Sequence, residues 1–183
     1  MPPLGKSLLI ATAGIAGFSL LLLIISVATT TWLDNGNGST IGLFRKCYGD
    51  NTANLGLSNG PGCYNENRVT QAGLSIFGLL LLVFSIVAVI ASVFIPNPII
   101  LFGGLGLLYF SSMFVMAAYA TWGNYTRDTA TYFFPYSPTI NIPNTSVGPS
   151  YNLCVAAHYF IWTALTVLAF ATGYLYSAER NQP

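Results

Sequence analysis

The chain has 183 residues, of which 54% are hydrophobic and only 6% charged, and its formal net charge is +1 at pH 7. Soluble domains carry about 25% charged residues, so this composition excludes a surface that faces water all round and points to an integral membrane protein. The near-neutral charge argues against nucleic acid or an acidic substrate as a partner, and three cysteines allow at most one intrachain disulfide.

A membrane-crossing helix needs roughly 20 apolar residues to traverse a hydrocarbon core of about 30 Å. Four stretches qualify, at residues 7–31, 70–95, 98–122 and 151–176, and none contains Asp, Glu, Lys or Arg. The first is too long for the roughly 7–15 apolar residues of a signal-peptide core, so it reads as a retained anchor. The second and third are joined by Ile95-Pro96-Asn97-Pro98, which suits a tight turn and not a continuing helix. This hairpin puts the turn, the N-terminus and the tail 177–183 on one side of the membrane. The two long loops, 32–69 and 123–150, fall on the other. Ala13 and Gly17 in the first span, and Ala169 and Gly173 in the fourth, are spaced for close helix approach. Contacts within the bundle are the expected use; a homodimer face is the alternative.

Charge is a poor guide to orientation, because basic residues occur on both sides: Lys6 and Arg180 near the termini, Arg45, Lys46, Arg68 and Arg127 in the loops. Two other signals agree with each other. The glycosylation acceptors Asn37-Gly38-Ser39, Asn124-Tyr125-Thr126 and Asn144-Thr145-Ser146 all fall on the long-loop side. Cys47 and Cys63 share the first loop, with Asn51, Asn59, Gly60, Pro61 and Gly62 supplying turn residues between them. A cystine there would be worth about 3 kcal/mol in the chain-entropy picture and implies an oxidising compartment. Both termini are therefore expected in the cytosol and both loops outside, at the plasma membrane.

Thr40 to Tyr48 reads as one strand with mixed alternation, preceded by the turn formers Asn35-Gly36 and Asn37-Gly38. Cys63-Tyr64 reads as a second strand pairing with it. Trp32 is expected at the membrane interface, where an amphipathic ring is favoured. Arg68 is expected either to snorkel from the start of the second span or to hydrogen-bond first-loop backbone. The loop charges Asp34, Asp50 and Glu66 balance Arg45, Lys46 and Arg68, so no single-sign field is presented. In the second loop, Tyr132, Phe133, Phe134 and Tyr136 are candidate partner contacts. A further strand on the first-loop sheet, or a place among the lipid headgroups, is the alternative for Tyr132 to Phe134.

His158 is the one ionisable histidine of the spans and reads as a satisfied core residue. Cys154 reads as a buried thiol. No nucleophile–base pair, metal-ligand spacing or phosphate loop is present, so neither catalysis nor a cofactor is expected.

Trp32, then Gly42-Leu43-Phe44-x-x-Cys47, then Cys63, then Arg68 at the start of the second span resembles the claudin signature. That superfamily includes the claudins, the peripheral myelin and epithelial membrane proteins, lens membrane proteins, and the calcium-channel gamma subunits with their glutamate-receptor relatives. The chain resembles a divergent member. Phe44 stands where the pattern has tryptophan, the cysteine gap is wide, and the tail lacks the Tyr-Val-like ending by which claudins dock scaffold proteins. The resemblance implies an all-α left-handed four-helix bundle topped by a small extracellular antiparallel β-sheet with a strand from each loop. It implies a non-enzymatic role in cell–cell contact, junctions or membrane organisation, through partners in the same or the facing membrane. An auxiliary subunit of an ion channel or receptor is the alternative.

Overall fold

The computed structural model describes residues 2–34, 38–49, 62–65, 68–95, 97–126 and 146–180. Four long helices account for most of them: α1 (Pro3–Ala28), α2 (Val69–Phe94), α3 (Pro98–Thr126) and α4 (Pro149–Arg180). Each contains a segment long and apolar enough to cross a membrane. α1 begins at Pro3 and stops at Ala28, so Thr29–Thr31, expected as the end of the first span, lie outside the helix. Three consecutive β-branched residues lose rotamer freedom in a helix, and Thr29 is already extended. Between α2 and α3, the Asn97 side chain accepts a hydrogen bond from the Ile99 N–H at 2.9 Å. Asn97 thereby caps α3, and Pro98 occupies the first helical position, where a missing N–H costs nothing.

The buried positions follow a 3–4 spacing in every helix. In α1 they are Gly5, Leu9, Thr12, Ala16, Ser19, Leu23 and Ser26. In α4 the row is Ser150, Cys154, Ala157, Ile161, Ala164, Leu168 and Ala171. These rows intersperse a few large apolar residues among small or hydroxylic ones. Each helix is apolar all round, so what distinguishes the inward face is side-chain size and hydroxyl content, not hydrophobicity. This is how helices pack where lipid is as apolar as leucine.

The hydroxyls act across the helix seams. α2 packs most extensively on α3, and α1 on α4. Ser85 Oγ donates to the Gly104 carbonyl, and Ser111 Oγ donates to the Gly78 carbonyl, both at 2.8 Å. Each helix of that antiparallel pair thus gives one serine and receives one on a glycine. A Cβ on Gly78 would stand 2.9 Å from Val115 Cγ2, so the close approach requires glycine there. Between α1 and α4, Ser19 Oγ donates to the Ala157 carbonyl at 2.7 Å and Ser26 Oγ to the Ser150 carbonyl at 2.6 Å. Of the small residues singled out in the sequence, Ala13 packs against the core, but the glycines are not points of close approach. A Cβ on Gly17 or Gly173 would meet nothing within 4 Å, and Ala169 and Gly173 are exposed. The glycine needed at the α1–α4 seam is Gly5, whose Cβ position is already taken by the Leu175 side chain.

The same bonds set Gln71 level with Ala118 in the α2–α3 pair and Ile24 level with Asn152 in the α1–α4 pair.

At the first end the bundle carries a five-stranded antiparallel sheet in the order β4–β3–β2–β1–β5. Its strands are β1 (Leu33–Asp34), β2 (Thr40–Ile41), β3 (Arg45–Tyr48), β4 (Gly62–Asn65) and β5 (Ser146–Val147). The expected single strand from Thr40 to Tyr48 is instead a hairpin. The chain reverses through Gly42-Leu43-Phe44, and the Gly42 N–H donates to the Arg45 carbonyl at 2.8 Å. β5 comes from the second long loop.

The glycine geometry sets a stability contrast. Gly78→Leu should destabilise the purified protein by roughly 1–3 kcal/mol through overpacking at the α2–α3 seam. Gly173→Leu, on an open helix face, should leave thermal unfolding in detergent close to wild type. Equal melting of the two variants would contradict the assigned seam.

Candidate recognition surface

Trp32 joins the sheet to the bundle. It is fully buried, so its ring packs within the protein and is not exposed to lipid. Its indole N–H donates to the Ser26 carbonyl at 2.8 Å. Its ring stands edge-on to Trp122, with centroids 5.2 Å apart, and to Tyr151 at 6.1 Å. Its backbone is held on both sides: the Trp32 N–H donates to the Ile41 carbonyl, and the Gly148 N–H donates to the Trp32 carbonyl. The chain leaving α1, the first-loop hairpin and the entry to α4 therefore meet on one residue.

Gly148-Pro149-Ser150 forms the other half of this joint. A Cβ on Gly148 would collide with the Thr31 carbonyl. Ser150 Oγ lies 2.7 Å from Thr29 Oγ1 and 2.6 Å from Thr31 Oγ1, and the Ser150 N–H donates to the Thr31 carbonyl at 3.1 Å. Sequence reasoning did not single out Ser26, Gly148 or Ser150. The legible signal was Gly-Pro-Ser immediately ahead of an apolar run, a helix-start pattern.

The signature residues take distinct places around this joint. Gly42 is buried against the end of α1, where a Cβ would stand 2.7 Å from Thr30 Cα. Leu43 is buried beside it, whereas Phe44 is 41% exposed. Arg68 precedes α2, and its backbone N–H donates to the Leu43 carbonyl at 3.2 Å. The bond from position 68 to first-loop backbone therefore exists, made by the main chain.

Cys47 and Cys63 form a disulfide that staples β3 to β4. They are register partners, as are Lys46 and Tyr64. Strand alternation then separates two faces. Leu33 and Ile41, both buried, share the inner face with Lys46, Tyr48 and Tyr64. On that face the Lys46 ammonium lies 5.0 Å from the Tyr48 ring centroid, and the Tyr48 and Tyr64 rings are 6.0 Å apart. The outer face presents Asp34, Thr40, Arg45, Asn65 and the cystine. Among the glycosylation candidates, Asn124 is exposed in the last turns of α3. Asn37 and Asn144 lie outside the described residues, as do the contact candidates Tyr132, Phe133, Phe134 and Tyr136.

Inside the bundle, His158 is hydrogen-bonded on both ring nitrogens. Trp162 Nε1–H donates to its Nε2 at 2.9 Å, Ser112 Oγ is 3.1 Å from the same nitrogen, and Tyr119 Oη is 3.1 Å from Nδ1. This is the satisfied core histidine expected from sequence. Cys154 is a buried free thiol. Among the described residues no three of His, Cys, Asp and Glu gather as a metal site. Compared with protein-family models and with curated proteins, the chain matches none.

Gly42→Ala should cost roughly 1–3 kcal/mol, because the added methyl meets backbone and not a yielding side chain. Phe44→Ala, at an exposed position, should stay within about 0.5 kcal/mol of wild type. Removing the staple with Cys47→Ser and Cys63→Ser should cost about 3 kcal/mol by loop entropy. Thermal unfolding of the four proteins in one detergent checks all three values.

Proposed function

We propose that this is a divergent, non-enzymatic relative of the claudin superfamily, acting in cell–cell contact or membrane organisation through the sheet and the long loops. One observation carries the proposal: the first-loop sheet is clamped to the bundle at Trp32, Gly42 and Arg68 and cross-linked by a cystine. A surface held this way is preorganised, and a partner binding it loses little conformational entropy. The 3–4 spacing of buried positions also suits the left-handed supercoil that the resemblance implies.

In this reading the sheet and the long loops are extracellular and both termini cytosolic, at the plasma membrane. The second loop supplies contact anchors at Tyr132, Phe133, Phe134 and Tyr136, and Asn37, Asn124 and Asn144 are the glycan acceptors. Partners are a second copy or another membrane protein, in the same or the facing membrane.

Replacing Phe133 and Phe134 with alanine should abolish enrichment at contacts between expressing cells, with surface expression retained. Unchanged enrichment would refute the second-loop assignment. Native pull-down with mass spectrometry should return self-association; a stoichiometric pore-forming partner would replace this reading with that of an auxiliary channel subunit. Glycan loss in Asn37→Gln, Asn124→Gln and Asn144→Gln would test the orientation, and modification at none of these sites would remove this support for it.

A further inference from the structure

We infer that the Cys47–Cys63 cystine is a redox switch: a dithiol opens it in the folded protein, releasing β4 from the sheet while the Trp32 joint and the bundle stay formed. Cys47 and Cys63 are direct register partners, with Cα atoms 4.0 Å apart. That is the close kind of antiparallel pair, in which no ladder hydrogen bond joins the two residues. At their level the strands are tied by the sulfur–sulfur bond.

The place of β4 makes the opening local. β4 is the outermost strand, and among the described residues it pairs with β3 on one side only. Gly62, Cys63 and Asn65 are exposed along it. The contacts that clamp the sheet to the bundle are made by other residues. Trp32 is bonded to Ile41 and Gly148, Gly42 lies against Thr30, and the Arg68 N–H is on the Leu43 carbonyl. None of these bonds is made by β4, so β4 can leave without breaking them. Once the link is open, the loop-closure entropy that it supplied is lost. A short, exposed edge pairing is marginal by itself.

The two sulfurs differ. Cys63 is exposed and Cys47 half-buried, so an incoming thiolate reaches Cys63 first. Its attack on Cys63 Sγ breaks the sulfur–sulfur bond, and the electron pair leaves on Cys47 Sγ. Arg45 is exposed and shares the outer face with Cys47, two residues away on β3, so its positive charge favours a thiolate there. The second thiol of the dithiol then displaces Cys63 as a thiolate. The dithiol ends as a disulfide and the cystine as two thiols, with two electrons and two protons passed from one to the other. The effect of this release on recognition rests on the proposed role of the sheet; the opening of the bond does not.

Cys154, the buried free thiol of α4, is the internal control. The full-length protein in detergent is treated with dithiothreitol at neutral pH without denaturant, and free thiols are alkylated and located by mass spectrometry. Cys47 and Cys63 should label while Cys154 stays unlabelled. Amide exchange across residues 62–65 should accelerate by up to roughly a hundredfold, the closure factor for a loop of this size, with α1 and α4 still protected. Glutathione, a monothiol, should be trapped on Cys63. A cystine that opens only in denaturant, labelling of Cys154 in step with the pair, or unchanged exchange at 62–65 in the reduced protein would each overturn the switch. Glutathione trapped on Cys47 would overturn the direction of attack. Neither readout uses cell contacts, so the outcome is independent of which partner the sheet meets.

Discussion

The burial of Trp32 is the constraint on which the rest depends. One indole, fully enclosed, contacts Trp122 on α3 and Tyr151 on α4 while its N–H is spent on the last turn of α1. Its backbone simultaneously extends the sheet toward β2 and holds the approach to α4. A residue with large apolar area and a single donor can close such a joint only if the donor is satisfied locally, and the Ser26 carbonyl does this. The sheet is therefore part of the bundle end, not an appendage on flexible linkers. The cystine then fixes β4, the strand farthest from the joint.

Below the joint, the bundle meets the problem of specificity in hydrocarbon. Burial of apolar surface cannot choose one helix face over another when every face is apolar. Shape and hydroxyl bonds make the choice instead. The exchange of serine and glycine between α2 and α3 works because glycine both lets the helices approach and exposes the carbonyl that the serine needs. Ser19 and Ser26 repeat the device on α4 with one helix supplying both donors. Such bonds average only about 0.6 kcal/mol each in membranes, so their main effect is on register. His158 applies the same logic in aromatic form, tying Ser112, Tyr119 and Trp162 together across the α3–α4 seam.

For function, the consequence is a division of the molecule. The interior is occupied with satisfying its own polar groups. The sheet turns Leu33 and Ile41 inward and Arg45, Asn65 and the cystine outward, and its outer face is mixed in charge and small. A surface of that kind presents no long-range field of a single sign. The second long loop joins the sheet through β5, next to Trp32, so the same joint that orients the first loop also orients the end of the second.

How much could be read from the sequence follows from how local each signal is. Length and apolarity determine a helix wherever 20 residues lack charge, so the four spans, the Pro-Asn-Pro turn and the pairing of Cys47 with Cys63 were legible. The inward faces were not, because with uniformly apolar helices the pattern that matters is size, and Ala169 and Gly173 have the right spacing on the wrong side. The break of Thr40–Tyr48 into a hairpin was hidden for a similar reason: Gly42 is needed there because Thr30 lies against it, and Thr30 is distant in the chain. Trp32 read as an interfacial residue because its composition suits both a headgroup and a core. Only the folded arrangement, with Ser26, Trp122, Tyr151 and Gly148 brought around it, decided that it is buried.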